Sequence, residues 1–176
     1  MGGMHAHVIL AAGQGTRMRS RLPKVLHPLL GKPMLLYALE AALALKPERL
    51  VVVVGHGGEK VVEALEGYPV EVAWQKEQLG TAHALLQAEG LLRDFPGPFL
   101  VTQGDTPLLS PRTLEALLRR VREGAGMALL TAELPDPTGY GRILREGEEV
   151  LGNVEEKDAP PEVRAIREVN AGAYAF

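Results

Sequence analysis

The sequence predicts an α/β fold, a doubly wound and mostly parallel sheet with a small antiparallel or mixed extension near the C-terminus. Short continuous apolar runs recur along the chain, at residues 8–10, 50–54, 70–74, 99–101 and 127–130. Such runs are typical of strands buried on both faces of a parallel sheet. Stretches with helical spacing lie between them, and beyond Pro135 the segments become short and are broken by Gly and Pro.

The helical stretches carry apolar residues on one face and span residues 35–43, 61–65, 85–92 and 114–121. Gly90 interrupts the third stretch, whereas Ser110 and Pro111 are the predicted N-cap and first residue of the fourth. Alternation of strands and helices over residues 1–125 predicts right-handed crossovers, with ligands beyond the carboxyl ends of the strands. Two further strands, at residues 140–144 and 150–154, are expected in the extension.

Composition limits the classes of function. A chain of 176 residues with 46% hydrophobic and 23% charged residues fits one ordinary globular domain. The net charge of −3 and the dispersed basic residues argue against a nucleic-acid partner. With no cysteine, a metal would need oxygen or imidazole ligands, which favours magnesium-type chemistry. No signal peptide or membrane-spanning run is recognised, so we expect a cytoplasmic protein without a membrane partner.

A glycine-bearing turn follows the first predicted strand, with Gly13, Gly15 and Arg17 in it and Lys24 seven residues beyond. It matches neither the dinucleotide fingerprint nor the Walker loop. Its backbone N–H groups and basic side chains suit phosphate oxygens, but a turn without a ligand explains the glycines about equally well.

Polar residues also follow later strands. Gln75 ends one strand and Asp105 another, while Gly80 and Thr81 open a helix. An amide and backbone N–H groups could read a base edge, and a carboxylate beside phosphates could hold Mg²⁺. The alternatives are a solvated polar loop for Gln75 and a Gly-Asp turn for Asp105. Glu155 stands in a run of charges, which by itself favours a solvated residue. His83 is expected to be a packed or capped helix residue, and no role is assigned to the other histidines.

Six ordered motifs resemble the sugar-phosphate nucleotidyltransferases, most closely the uridyltransferase domain of the bacterial bifunctional N-acetylglucosamine-1-phosphate uridyltransferases and glucosamine-1-phosphate acetyltransferases. They are Leu10-Ala11-Ala12-Gly13-Gln14-Gly15-Thr16-Arg17-Met18 with Leu22-Pro23-Lys24, Gln75-Lys76-Glu77-Gln78-Leu79-Gly80-Thr81, Gly104-Asp105-Thr106, Thr138-Gly139-Tyr140-Gly141-Arg142, Val154-Glu155-Glu156 and Glu168-Val169-Asn170. The resemblance implies a Rossmann-like nucleotide-diphospho-sugar transferase fold. It covers nearly the whole chain, with a nucleotide-binding core at residues 1–125 and the start of a sugar-phosphate part at 126–176.

The resemblance also implies roles for individual residues. The implied catalytic residues are Arg17, Lys24 and Asp105, of which Asp105 is the metal ligand. The implied nucleotide-binding residues are Leu10, Ala11, Ala12, Gly13, Gly15, Thr16, Arg17, Lys24, Gln75, Gln78, Gly80, Thr81 and Gln103. The implied sugar-phosphate-binding residues are Gly141, Glu155 and Asn170.

The reaction that the resemblance implies joins UTP to N-acetylglucosamine 1-phosphate with Mg²⁺, giving UDP-N-acetylglucosamine for peptidoglycan and cell-wall synthesis, and pyrophosphate. Two alternatives stay open: another nucleotide and sugar 1-phosphate pair, or a nucleotide-binding module without turnover. The binding-module alternative arises because the sequence ends at Phe176, before the position of the family's second metal ligand. We therefore expect this sequence to be part of a longer enzyme. The sequence lacks the β-helix acetyltransferase region of the family. Gln103 stands where many members of the family have Tyr. The oligomeric state stays open.

Overall fold

A computed structural model describes residues 4–12, 22–55, 57–77 and 81–176, with Thr81 described by its backbone alone. The strands of this part of the chain are β1 (Ala6–Ala11), β2 (Pro28–Leu29), β3 (Lys32–Pro33), β4 (Arg49–Val54), β5 (Glu71–Trp74), β6 (Phe99–Gln103), β7 (Ala128–Glu133), β8 (Arg142–Glu146), β9 (Glu149–Val154) and β10 (Glu168–Ala175). Its helices are α1 (Met34–Ala44), α2 (Glu59–Ala64), α3 (Thr81–Leu86), α4 (Glu89–Leu92), α5 (Pro111–Arg122) and α6 (Pro161–Arg164), with 3₁₀ turns at Lys24–Leu26 and Glu156–Asp158.

The main sheet confirms the predicted fold class. Its strands run in the order β5-β4-β1-β6-β10-β8-β9, and β7 pairs with β10 outside this path. The first four strands in that order are parallel, so their carboxyl ends meet at one edge. The remaining pairings, which form the predicted extension, are antiparallel.

The apolar runs form strands because they are covered on both faces. Every residue of β1 is buried. Ile9 packs with α1 and α2 on one face of the sheet, whereas Val8 and Leu10 pack with α3 and α4 on the other. A third cluster lies between α5 and β10 and includes Leu114, Leu118 and other apolar residues. Burial on two faces leaves the carboxyl edge as the place where polar side chains can emerge.

The start of α5 is as predicted. The Ser110 hydroxyl accepts a hydrogen bond from the Thr113 backbone N–H at 3.3 Å, and Pro111 occupies the first turn. The cap satisfies one of the N–H groups that a helix start leaves without a partner. Because α5 packs on β6 and β10, this start also fixes the loop that follows β6.

Two local expectations differ from the structure. The break in the third helical stretch lies between α3 and α4, at residues 87–88, and Gly90 lies inside α4. The run at residues 127–130 begins one residue before β7, which pairs antiparallel with β10 and is only half-buried. A short apolar run does not reveal the direction of its neighbour, because both kinds of sheet can bury it.

Strand β10 runs antiparallel to β6. Tyr174 pairs with Val101 and Ala175 with Leu100, so the earlier part of β10 lies toward the carboxyl end of β6. A β-bulge interrupts the pairing of β10 with β7 between Asn170 and Tyr174. The bulge therefore lies at the same edge as the ends of the parallel strands.

In the described part of the chain, no helix has the length and apolar character required to span a membrane.

Candidate functional site at the carboxyl edge of the sheet

The ends of the parallel strands are tied together by backbone hydrogen bonds. The Gly104 N–H donates to the Leu10 carbonyl at 2.9 Å, and the Gln75 N–H donates to the Val54 carbonyl at 2.7 Å. Both bonds continue strand pairing by one residue beyond β6 and β5. The residues that follow these strands are therefore held at fixed positions along one edge, where ligands of open α/β sheets bind.

Lys24 and Asp105 meet at this edge. The Lys24 Nζ lies 2.9 Å from the Asp105 Oδ2, and both side chains retain solvent contact. Asp105 sits in a turn after β6 that is closed by Thr106, whose hydroxyl donates to the Gln103 carbonyl at 2.9 Å. The structure thus brings together two of the three predicted catalytic residues.

Tight packing fixes the two backbone segments that carry this pair. Val25, next to Lys24, is buried, and a Cβ added at Gly104 would lie 3.0 Å from the Val25 Cγ1 atom. The absence of a side chain at Gly104 lets the 3₁₀ turn approach the end of β6 this closely. Pro23 precedes the turn with an extended backbone, which suits its fixed φ.

The donor set at Asp105 fits magnesium bound with phosphates. Within the described ranges, no cluster of three or more His, Asp or Glu side chains could hold a metal by itself. Mg²⁺ commonly binds through one or two carboxylates and keeps water and substrate phosphate as its other ligands. The Lys24 ammonium lies against this carboxylate, which shows that the Asp105 oxygens are accessible to a positively charged group. Asp105 could therefore contribute one ligand to such an ion.

Gln75 is buried at the end of β5, where its side chain contacts α3. Its Nε2 lies 2.9 Å from the His83 Nδ1, and the side chain is only 4% exposed. The sequence predicts His83 to be a packed or capped helix residue and not a catalyst. The contact shows that it holds a predicted nucleotide-binding side chain.

The predicted sugar-phosphate residues Gly141 and Asn170 are adjacent. The Asn170 N–H donates to the Gly141 carbonyl at 3.1 Å. The Asn170 side chain spans the bulge of β10, accepting from the Gly172 N–H at 2.8 Å and donating to the Tyr174 hydroxyl at 2.6 Å. Gly172 has a φ of +80°, which favours glycine. Asn170 therefore shapes the strand through both ends of its carboxamide.

Glu155 joins this group through Asn153. The Asn153 Nδ2 donates to the Glu155 Oε1 at 3.1 Å, and a Cβ added at Gly141 would collide with the Asn153 Oδ1. Glu155 is exposed, so its carboxylate is accessible to a ligand. The three predicted sugar-side residues thus lie in one region of the extension.

Arg142 organises the loop beside Gly141 and was not selected from the sequence. Its side chain is only 2% exposed; it donates to the Tyr140 carbonyl and, at 3.3 Å, to the Arg164 carbonyl. It also lies 3.3 Å from a carboxylate oxygen of Glu156, whose other oxygen accepts from the Gly139 N–H at 2.6 Å. A basic residue at the start of a strand gives no sequence signal of burial, because arginine is usually exposed.

Gln103 connects the two sides of the edge. It is the last residue of β6, and a Cβ added at Gly172 would lie 3.3 Å from the Gln103 Cγ. Leu10, Ala11 and Ala12 are buried, and they belong to the two core clusters that cover the faces of the sheet. The other predicted nucleotide-site residues lie outside the described residues: Gly13, Gly15, Thr16, Arg17, Gln78, Gly80 and the side chain of Thr81.

Comparison with known proteins identifies the family. The family model described as the MobA-like NTP transferase domain matches residues 7–161. The chain belongs to this family. This transferase domain is 55% identical over 172 residues to the bifunctional protein GlmU of Syntrophotalea carbinolica, and 54% identical over 173 residues to that of Pelotomaculum thermopropionicum. Each alignment covers 97% of this chain, which spans 37% of the first relative and 38% of the second. The predicted resemblance to the nucleotidyltransferases is confirmed.

Solved structures agree on the fold. A UDP-glucose pyrophosphorylase complexed with UDP-glucose superposes with a TM-score of 0.82 at 22% identity, covering 99% of this chain and 76% of that one. The transferase domain therefore has the fold of the nucleotide-diphospho-sugar transferases, as the resemblance implied. At 22% identity, this structural similarity shows a shared fold and nothing about substrates.

Proposed function

We propose that the protein joins UTP to N-acetylglucosamine 1-phosphate, forming UDP-N-acetylglucosamine and pyrophosphate. The observation that carries the proposal is the Lys24–Asp105 pair at the carboxyl edge, with Gln75 on one side and Gly141 and Asn170 on the other. The high identity to the bifunctional GlmU proteins supports this choice of substrates. We assign nucleotide binding to residues 1–125 and sugar-phosphate binding to 126–176.

The reaction needs positioning and charge neutralisation rather than a protein nucleophile. A phosphate oxygen of the sugar phosphate attacks the α-phosphorus of UTP in line. A new P–O bond forms as the bond from the α-phosphorus to the bridging oxygen breaks, and pyrophosphate leaves with that electron pair. Holding two reactants in attack geometry contributes much of such an acceleration. Because both reactants are anions, cationic groups must offset their repulsion.

The residues of the edge meet these needs. Lys24, together with Arg17, would bind triphosphate oxygens, and Asp105 would hold Mg²⁺. When bound, the ion would offset negative charge on the phosphates. Once phosphates are present, Lys24 can exchange its contact with Asp105 for them, because the pair is solvent-accessible and exposed ion pairs are weak. Gln75 would contact the base, and Glu155 and Asn170 the sugar hydroxyl and N-acetyl groups. As the donor is a nucleoside triphosphate, we propose the cytoplasm as the compartment.

The test is release of pyrophosphate from the four NTPs, each offered with several sugar 1-phosphates and Mg²⁺. UTP with N-acetylglucosamine 1-phosphate should be the preferred pair. Preference for another pair would contradict the substrate assignment, and tight UTP binding without product would indicate a binding module.

A single substitution tests the assignment of Asp105. Asp105→Asn should lower kcat by about 10²-fold or more, because an amide is a poor magnesium ligand and leaves phosphate charge uncompensated. Asp94→Asn is the matched control, since Asp94 is exposed and precedes β6, at the opposite edge. If Asp105→Asn kept the rate of the Asp94→Asn variant, Asp105 would not be the metal ligand.

A further inference from the structure

The contact between Gln75 and His83 carries an inference about base selection. A carboxamide has a donor end and an acceptor end of nearly equal size, so its orientation is set only by its hydrogen bonds. In Gln75 the Nε2 end lies 2.9 Å from the His83 Nδ1. The amide therefore donates to the imidazole, and its Oε1 end points away from the ring.

The imidazole can hold this arrangement because a neutral ring accepts at one nitrogen and donates at the other. Acceptance at Nδ1 places the ring hydrogen on Nε2. The ring itself is held by α3, where the Gln87 side chain donates to the His83 backbone carbonyl at 3.0 Å. The Gln87 Nε2 lies 3.4 Å from the His83 Nε2, but both nitrogens carry hydrogen in this tautomer, so of the two contacts only the one with Gln75 is a hydrogen bond to the ring.

We propose that His83 is a positioning residue that orients the Gln75 carboxamide and thereby favours UTP over CTP. The inference rests on the proposed function, in which Gln75 contacts the base. A cleft of about 280 Å³ borders His83, and its other lining residues are Trp74, Lys76, Glu77 and Gln87. The imidazole thus has open space beside it, and its hydrogen bond with Gln75 defines which end of the amide faces the ring.

The chemical basis is the difference between the two pyrimidines at ring position N3. Uracil carries a hydrogen there, whereas cytosine carries a lone pair. An outward carbonyl oxygen attracts the uracil N–H and repels the cytosine lone pair. The Gln75 carbonyl oxygen has two lone pairs, so it can accept one hydrogen bond from a base and another from a protein donor. A site that pairs a base donor in this way rejects an analogue that lacks it, because a desolvated polar group would be left unmatched.

Substitution of His83 separates orientation from packing. His83→Leu removes the acceptor at similar size, so the Gln75 amide can turn its NH₂ end outward. We expect the Kd for UTP to rise about tenfold and the Kd for CTP to stay the same or fall. His83→Asn places the amide oxygen near the former Nδ1 position and should restore the preference. Leu86→Ala, on the same helix and 59% exposed, is the control for disturbance of α3.

Binding of UTP and CTP is measured by calorimetry, with melting temperature followed in parallel. A purely structural role would weaken both nucleotides equally and would not distinguish His83→Asn from His83→Leu; either result overturns the inference. Gln75→Leu separates the two proposals. If this variant keeps the UTP to CTP preference, the proposed base contact is wrong. If it loses the preference while His83→Leu keeps it, only the role of His83 is wrong.

Discussion

His7 makes the stability of the fold depend on pH. The ring is fully buried in β1, where its Nε2 contacts the Thr102 hydroxyl at 2.8 Å. Burial, and secondarily the charge of the neighbouring His5, lowers the pKa of His7 from 6.5 to about 3. The unfolded chain therefore binds a proton between these values while the folded chain does not. Stability is complete above pH 6.5 and decreases as the pH falls toward 3.

The size of the effect follows from this pKa difference. Between the two pKa values each pH unit costs at most about 1.4 kcal/mol, so acidification from pH 7 to 5 should cost about 2 kcal/mol through His7 alone. We propose His7→Gln as the perturbation, because the glutamine Nε2 can keep the contact with Thr102 and does not titrate. His27→Gln makes the same chemical change at a half-buried ring and serves as the control.

Urea denaturation at pH 7 and pH 5 measures the free energy of unfolding of each variant. Other titratable groups contribute to the pH dependence of both proteins. We therefore compare how much the free energy of unfolding changes between pH 7 and pH 5 in wild type and in His7→Gln. We expect His7→Gln to lose about 2 kcal/mol less than wild type on acidification. An equal loss in both, or a wild type that is more stable at pH 5, would refute the reasoning about His7.

Three further predictions concern the packing of the site and the helix cap. Gly104→Ala should cost about 1 kcal/mol and lower the reaction rate, because the new methyl group pushes Val25 and the adjoining turn away from β6; unchanged kinetics would contradict it. Arg142→Met should cost about 2–4 kcal/mol by urea denaturation, since two carbonyls and a carboxylate lose their buried donor. Arg145→Met, in an accessible ion pair, should cost less than about 1 kcal/mol, and equal losses would disprove the distinction. Ser110→Ala should cost about 1 kcal/mol through its lost cap, and an unaltered denaturation midpoint would rule that out.

The extent to which the fold was predictable depends on the range of the interactions involved. The runs at residues 50–54 and 99–101 were predicted as strands because their apolar character is continuous, and they form β4 and β6. The cap at Ser110 was predictable because a cap involves neighbours only. The antiparallel pairing of β7 was not, since it depends on β10, which follows much later in the chain.

The candidate site was predicted to a different degree on its two sides. The positions of Asp105 and Gln75 at the carboxyl edge could be predicted because both follow strands, and strand ends can be located by pattern. Arg142 was missed because its burial results from contacts with three separate segments, around Tyr140, Glu156 and Arg164. No periodicity in a single sequence encodes such a set of contacts.

By itself, the sequence determined the alternation of strands and helices, the family motifs and the residue types available for phosphate, base and sugar. These properties are local, because they depend on which residues are neighbours along the chain. Only the tertiary structure decided which of these residues meet: Lys24 with Asp105, and Gln75 with His83. The physical reason is that a side-chain hydrogen bond or ion pair requires atoms about 3 Å apart. Pairing of β1 with β4 and β6 supplies that precision for residues far apart in sequence.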